Sequence, residues 1–319
     1  MNLRDVARSV PGARFVWNRL NKKATAPIEL RDLAARGYDD SADADTLIDI
    51  RRLRRNNLFS RRPIVDPDSP VVMTMTTYAA RVPTVFVAIE SVARGDRLPS
   101  RHILYIDDPK IMAELPASLR RLQRRGLEIV QVPAGIKVHT KHYYYVTSIA
   151  HHTKSLATNE DDIIFPPDWL ATMLAAQAEH PDQIVTPRAH RITLSDGRVT
   201  PYLEWARCSD TRPSYLNFGT TVSGQIYPPE FLDYVREAGD GFRELCPNND
   251  DLWLHHLAVE SGRRVVQTGP VPRHYPFIPG TQSTGLYFSN VFGGENDRQI
   301  ARTYTDVDIE RFRADAGLS

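Results

Sequence analysis

Cysteine is almost missing: Cys208 and Cys246 are the two in 319 residues. Two thiols cannot build the disulfide framework of a small secreted domain, and no Cys/His cluster has structural-zinc spacing. Long apolar runs are missing too. The chain opens MNLRDVARSVPGARF, with charges where a signal peptide would be hydrophobic, so a cytoplasmic protein is expected. There is no internal repeat and no low-complexity tract. Neither GxxxxGK[ST] nor GxGxxG occurs, which removes the nucleotide folds recognised by those loops. Net charge is scarce, at +1, with 41% hydrophobic and 25% charged residues. Those proportions belong to an ordinary globular chain, long enough for one large α/β domain or two small ones.

The small net charge hides an asymmetry. Residues 1–62 carry fourteen Lys/Arg against eight Asp/Glu, which leaves residues 63–319 net acidic. The basic residues form two groups: Arg4, Arg8, Arg14, Arg19, Lys22 and Lys23, then Arg51, Arg52, Arg54, Arg55, Arg61 and Arg62. Such a segment suits peripheral contact with an anionic membrane at its cytoplasmic face. Packing against the domain, or a homo-oligomer contact, suits it equally. Nucleic acid is not expected as a partner of a chain whose remainder is acidic.

Organisation follows from periodicity. Residues 1–65 form a basic helical extension broken at Pro11-Gly12 and Pro27, with Leu47, Ile48, Ile50 and Leu53 at helical spacing. From residue 66 strands and helices alternate. Val71–Tyr78 is a β-branched strand, and Val82–Val92 a helix with Gly95 at its end. Residues 102–106 and Leu127–Val132 are strands separated by a helix around Leu115–Arg125; a helix follows over Tyr143–His151. A further strand ends at Glu160-Asp161-Asp162, and a helix begins near Pro166-Pro167-Asp168. Ile184–Leu194 and Val199–Trp205 flank a Ser195-Asp196-Gly197 turn. A helix from Asn248-Asn249 and a strand over Arg264–Gln267 complete the core, and 270–319 reads as irregular. The fold expected is α/β, a doubly wound, mostly parallel sheet flanked by helices over 66–319.

Glu160-Asp161-Asp162 is the most telling local feature. On an extended backbone Glu160 and Asp162 share a face and Asp161 points away. Two carboxylates at the end of a parallel strand can hold Mg2+ or Mn2+ and leave positions for a diphosphate. Taken alone, an acidic triplet is as readily a solvated strand end.

Several blocks together resemble one family. Residues 71–95, VVMTMTTYAARVPTVFVAIESVARG, resemble the opening strand and helix of a bacterial GT-A glycosyltransferase group beginning TTYxxR. NEDDIIFPPDWL at 159–170 resembles its DDDxxYPxDWL segment, and CPNNDDLWL at 246–254 its CPxxDDxWL motif. Residues 188–205, 213–229 and Gly294-Glu295-Asn296-Asp297 resemble further blocks, in the same order. Glu160 stands where relatives usually have Asp, and Ser223-Gly224 where they often have two glycines.

The resemblance implies a fold of the GT-A type and transfer of a sugar from a nucleoside-diphosphate donor to a glycan or lipid-linked glycan acceptor. It implies that Thr76, Thr77, Tyr78, Arg81, Asp107, Lys141 and Asp161 bind the donor nucleotide. Glu160, Asp162 and His274 would ligate Mn2+ or Mg2+. Asp250 or Asp251 would be the base of an inverting transfer, Asp250 preferred because Asp251 is able to turn into its helix. Arg188, His190, Trp205 and Gly224 would line the sugar and acceptor pocket. Thr281–Gly285 and Gly293-Gly294 would form a lid. Two other functions stay open: a sugar-phosphate nucleotidyltransferase, which needs a glycine-rich basic loop where Thr77-Tyr78-Ala79-Ala80 stands, and a non-catalytic sugar-nucleotide binding protein.

Overall fold

A computed structural model describes residues 42–282, 290–291 and 293–318. The expected breaks at Pro11-Gly12 and Pro27, the first basic group and residues 283–285 of the expected lid lie outside the described residues. The helices are α1 (Ala44–Phe59), α2 (Val85–Ala93), α3 (Pro109–Ala113), α4 (Ala117–Gln123), α5 (Thr140–Thr147), α6 (Trp169–Glu179), α7 (Pro229–Ala238), α8 (Phe242–Leu245), α9 (Asp250–Glu260), α10 (Glu295–Thr303) and α11 (Asp306–Ala316). Seven strands build the main sheet: β1 (Val71–Thr76), β2 (Arg101–Ile106), β3 (Leu127–Gln131), β4 (Ser155–Thr158), β5 (Ile184–Thr186), β11 (Gln225–Tyr227) and β12 (Val265–Gln267). Between β5 and β11 come the short β6 (Ala189–Arg191), β7 (Leu194–Ser195), β8 (Arg198–Val199), β9 (Ala206–Arg207) and β10 (Asn217–Gly219).

The main sheet has the order β12-β5-β11-β4-β1-β2-β3. All of its strands run one way except β11, which is antiparallel to both β4 and β5. This is the mostly parallel, helix-flanked sheet expected. Both faces are covered, which is why VVMTMT reads as a continuous run rather than an alternation. Val72, Ile103 and Leu156 pack on one side with Tyr145, Phe231 and Leu257. Met75 and Leu104 face α2 and α4 on the other, beside Met73 and Ala157 under Trp169 and Met173.

The last helix of the basic extension is built into this core. Thr46, Ile50, Leu53 and Asn57 form its inward stripe, whereas Leu47 and Ile48 are 44% exposed. Asn57 donates to Glu90 Oε1 at 3.1 Å, and Arg125 Nη1 meets the same oxygen at 2.5 Å. Arg121 donates to Asn57 Oδ1 at 2.9 Å, so one buried carboxylate ties α1 to α2 and to the end of α4.

Three expectations shift. The tail is not irregular: α10 and α11 bury Ile300 and Phe312, and Thr305 with Asp308 makes a reciprocal capping box. The helix expected over 143–151 begins at Thr140 and ends at Thr147. The expected hairpin shrinks to Leu194–Val199, with Asp196 at φ 50 and Gly197 at φ 71. Its flanks divide, β5 joining the main sheet and β6 a small antiparallel sheet of order β10-β6-β9.

Candidate active site

Because β1, β2 and β4 are parallel, their carboxyl ends lie along one edge of the sheet, where open α/β folds bind ligands. Thr76-Thr77-Tyr78, Asp107 and Glu160-Asp161-Asp162 therefore collect there from three separate stretches of chain. The edge opens into a cavity of about 490 Å³. Its lining includes Thr76, Thr77, Tyr78, Arg81, Asp107, Lys141, Arg188 and all five acids at 160–162 and 250–251. Asp250 and Asp251 arrive on the first turn of α9, whose amino end is capped by Asn249 accepting from Leu252 N–H at 2.9 Å.

The acidic step is not an extended strand end. β4 stops at Thr158 and the chain turns through Asp161-Asp162, so the alternation expected for Glu160, Asp161 and Asp162 does not apply. Asp161 and Asp162 share one partner: Arg81 Nη1 meets Asp161 at 2.6 Å and Nη2 meets Asp162 at 2.7 Å. Thr77 donates to Asp161 at 2.7 Å and Gln282 to Asp162 at 2.8 Å. Glu160 turns the other way, toward Lys141 at 2.5 Å and the Thr221 hydroxyl at 2.9 Å.

Lys141 is itself the pivot of the site. Only 2% of its side chain is exposed, and it bridges Glu160 on the β4 side and Asp250 on α9, the latter at 2.9 Å. Burial opposes its charge, but Asp250, Glu160 and Asp251 overcome this and raise its pKa well above the ordinary value. Arg81 behaves alike: burial works against the guanidinium, Asp162 and Asp161 outweigh it, and its pKa rises. Glu160 is lowered because Lys141 outweighs the burial of its carboxyl.

The other acids are under-compensated. Burial pushes Asp162 up to about 7, aided by Asp161 and Glu160 against the pull of Arg81. Burial and the Asp250 charge push Asp251 up to about 7 as well. Asp161 and Asp250 are also raised, both chiefly by burial. Six carboxylates and four side-chain cations line the cavity among the described residues. The surplus of two negative charges is the electrostatic signature of a place that accepts a further cation or retains protons.

Four expected pocket residues lie elsewhere. His274 is not placed as a metal ligand: its Nε2 accepts from Arg188 Nε at 2.8 Å, so that lone pair is committed to a guanidinium. Burial and the Arg188 charge drive its pKa down to about 3. Gly224, with φ +88, packs under Trp169, where a Cβ would sit 2.4 Å from the indole. Trp205 is buried and donates to Thr200 O at 2.9 Å; His190 and Trp205 rings stand 5.5 and 5.0 Å from that of Tyr202. They form a layer behind Tyr202 and Phe218, which do line the cavity. Asp107 lines it as expected, while the neighbouring Asp108 caps α3.

Several residues at the cavity wall have no individual role legible in the sequence. Thr221 N–H donates to Asp251 at 2.9 Å and its hydroxyl joins Lys141 and Glu160, so one residue touches both acidic groups. Lys137, at φ 47, reaches Asn248 at 2.7 Å. Asn296 accepts from the Asn249 side chain at 3.0 Å, and Asp297 accepts from Tyr202 N–H at 2.7 Å. The Gly294–Asp297 block thus braces the α9 cap and the Tyr202 wall from one short stretch.

Glu160 and Asp162 offer the hard oxygen donors that Mg2+ and Mn2+ favour. Among the described residues no three His, Cys, Asp or Glu side chains gather as a metal-binding group. Each of the two carboxylates already has its own partners, Glu160 in Lys141 and Thr221 and Asp162 in Arg81 and Gln282.

No family model matches the sequence, and no curated protein matches it. Solved structures to which the chain is similar include S. aureus TarS 1–349 in complex with UDP-GlcNAc, at 15% identity over 64% of this chain and 57% of that one, TM-score 0.42. Another is the mannosyltransferase PcManGT from Pyrobaculum calidifontis in complex with GDP-Man and Mn2+, at 15% identity over 69% and 61%, TM-score 0.41. A third is 4-diphosphocytidyl-2C-methyl-D-erythritol synthase from Anaerococcus prevotii, at 11% over 72% and 96%, TM-score 0.44. The chain spans about three-fifths of the first two.

Proposed function

We propose that the protein transfers a sugar from a nucleoside-diphosphate donor to a hydroxyl of a glycan or lipid-linked glycan. One observation carries this reading: the blocks that resemble the GT-A group, distant in sequence, converge on one acidic cavity at the carboxyl edge of the parallel strands. Nucleotide contact falls to Tyr78, Asp107 and the Thr76-Thr77 turn. Arg188, Lys137 and Lys141 offer positive charge to the diphosphate. Mg2+ or Mn2+ held by Asp162 and Glu160 would neutralise the charge that builds on the departing diphosphate.

The acceptor hydroxyl needs a base, and Asp251 fits better than Asp250. Lys141 holds the Asp250 carboxylate in an ion pair, whereas Asp251, with a pKa near 7, is basic enough to take a proton and is partly ionised at neutral pH. Its Oδ1 is oriented by Thr221 N–H and Gln225 Nε2. The proton lost by the hydroxyl passes to Asp251 as the new glycosidic bond forms and the bond to the diphosphate breaks, with inversion. The turn after β1 holds no glycine-rich basic loop, which counts against nucleotidyl transfer.

The test is a panel of nucleoside diphosphates and their sugars, followed by calorimetry and product analysis with and without Mn2+. Metal-enhanced binding of one member, with free nucleoside diphosphate released as an acceptor is glycosylated, is the expected result. Release of pyrophosphate from a nucleoside triphosphate would establish the nucleotidyltransferase instead. Binding with no turnover of any member would leave a binding protein, and no binding at all would sink the donor site.

A further inference from the structure

We propose that the outward face of α1, with the segment that follows it, docks on an anionic lipid surface. The inward stripe of Ile50, Leu53 and Asn57 fixes the rotation of this helix. At 100° per residue, the opposite side presents Ile48, Arg51, Arg52, Arg55 and Phe59. All five are exposed, Phe59 at 75%, and Arg54, Leu58, Arg61 and Arg62 are exposed beside them. Asp49, an acid of the same helix, is drawn off by Arg94, which grips both of its oxygens at 2.8 Å.

The combination selects the partner. Arginines alone suit any polyanion, but Ile48, Leu58 and Phe59 interleaved with them suit a medium that accepts charge and apolar side chains at one depth. The headgroup boundary of a bilayer is that medium, and a nucleic acid in water is not. Charge orientation agrees: the chain from residue 63 onward is net acidic, so an anionic surface attracts this face and repels much of the rest. The proposal is independent of the catalytic reading, because none of these residues lines the cavity.

The experiment is co-sedimentation of the full chain with phosphatidylcholine vesicles, with and without phosphatidylglycerol, at low and high salt. Binding is expected to require phosphatidylglycerol and to fall with salt. Removing two arginines, Arg51→Ala with Arg55→Ala, should weaken it about thirty-fold. Phe59→Ser should weaken it about ten-fold. Neither variant touches the buried stripe, so unchanged melting temperatures serve as the control for folding. Equal binding to neutral vesicles, or binding indifferent to all three substitutions, would overturn the proposal. So would tighter binding to duplex DNA than to anionic vesicles, or a dimer that Phe59→Ser splits while sedimentation stays the same.

Discussion

At the scale of single residues the site is a contest between burial and pairing. Asp250 and Asp251 are adjacent, yet one faces an ammonium and the other backbone and amide donors, which gives them different chemistry. Asp251→Asn should lower transfer by about a thousand-fold while changing donor affinity little, as expected of a lost general base. Asp250→Asn should instead disturb Lys141, and with it both the donor affinity and the turnover. Steady-state kinetics beside calorimetry separates the two, and full activity in Asp251→Asn would move the base elsewhere. Gly224 offers a stability test at the same scale. Its φ is +88, and the Trp169 indole lies 2.4 Å from where an added methyl carbon would sit. Gly224→Ala should therefore cost about 3 kcal/mol in urea unfolding.

Elements carry those residues to one place, and their ends matter more than their middles. The α9 amino end is held by Asn249, which accepts from Leu252 N–H and donates to Asn296 on α10. Asn249→Ala should cost about 1 kcal/mol as a lost cap. It should also depress turnover more than Asn296→Ala does, since it frees the turn that carries both candidate bases. Equal effects on stability and none on turnover would show that the cap is merely structural. The α1–α2–α4 clamp makes a larger prediction. Arg125→Ala leaves Glu90, 1% exposed, without its guanidinium, and should cost about 3 kcal/mol. A loss that large would show that this buried pair holds α2 and the end of α4 together. These ends also set the limit of what periodicity reveals. The helix over 250–260 and strands over 71–76 and 127–131 are legible from apolar spacing and β-branching. The α10–α11 tail is not, because beside Ile300 and Phe312 its helices bury polar side chains, Asn296, Gln299, Thr303 and Asp308, which leave no apolar period to read.

For the whole molecule, pH acts through two opposed sets of groups. Asp162 and Asp251, with pKa near 7 against 3.8 in an unfolded chain, bind more protons in the native state between those values. Stability from them therefore falls as pH rises through that window. Buried neutral histidines act the other way: His102 and His255 sit at about 4 and His139 at about 3, against 6.5 unfolded, all through burial. They lower stability as pH falls below 6.5. His142, His190 and His274 are lowered by burial as well, so the two sets oppose each other from about pH 4 to about pH 7, where the unfolded histidines finish titrating. Removing one carboxylate exposes its share: from about pH 5 to pH 7 the melting temperature of Asp162→Asn should rise more steeply, or fall less, than that of the wild type. Mn2+ or a bound donor with Mn2+ should act in the same direction, by neutralising the same cluster. An Asp162→Asn profile that runs parallel to the wild-type one over that range would contradict the assigned burial.

The sequence alone determines the alternation of strands and helices, the basic start and acidic remainder, and most residues that line the cavity, because these depend on local pattern or on recognisable blocks. Thr76, Thr77, Tyr78, Arg81, Asp107, Lys141 and the acids at 160–162 and 250–251 are all readable in this way. Partnership is not local. That Arg81 joins Asp161 to Asp162, that Lys141 joins Glu160 to Asp250, and that Arg188 takes the lone pair of His274 depend on segments brought together from distant parts of the chain. Tertiary structure decided those pairings, and with them which carboxylate stays basic, because burial and charge neighbours are properties of the folded chain rather than of its order.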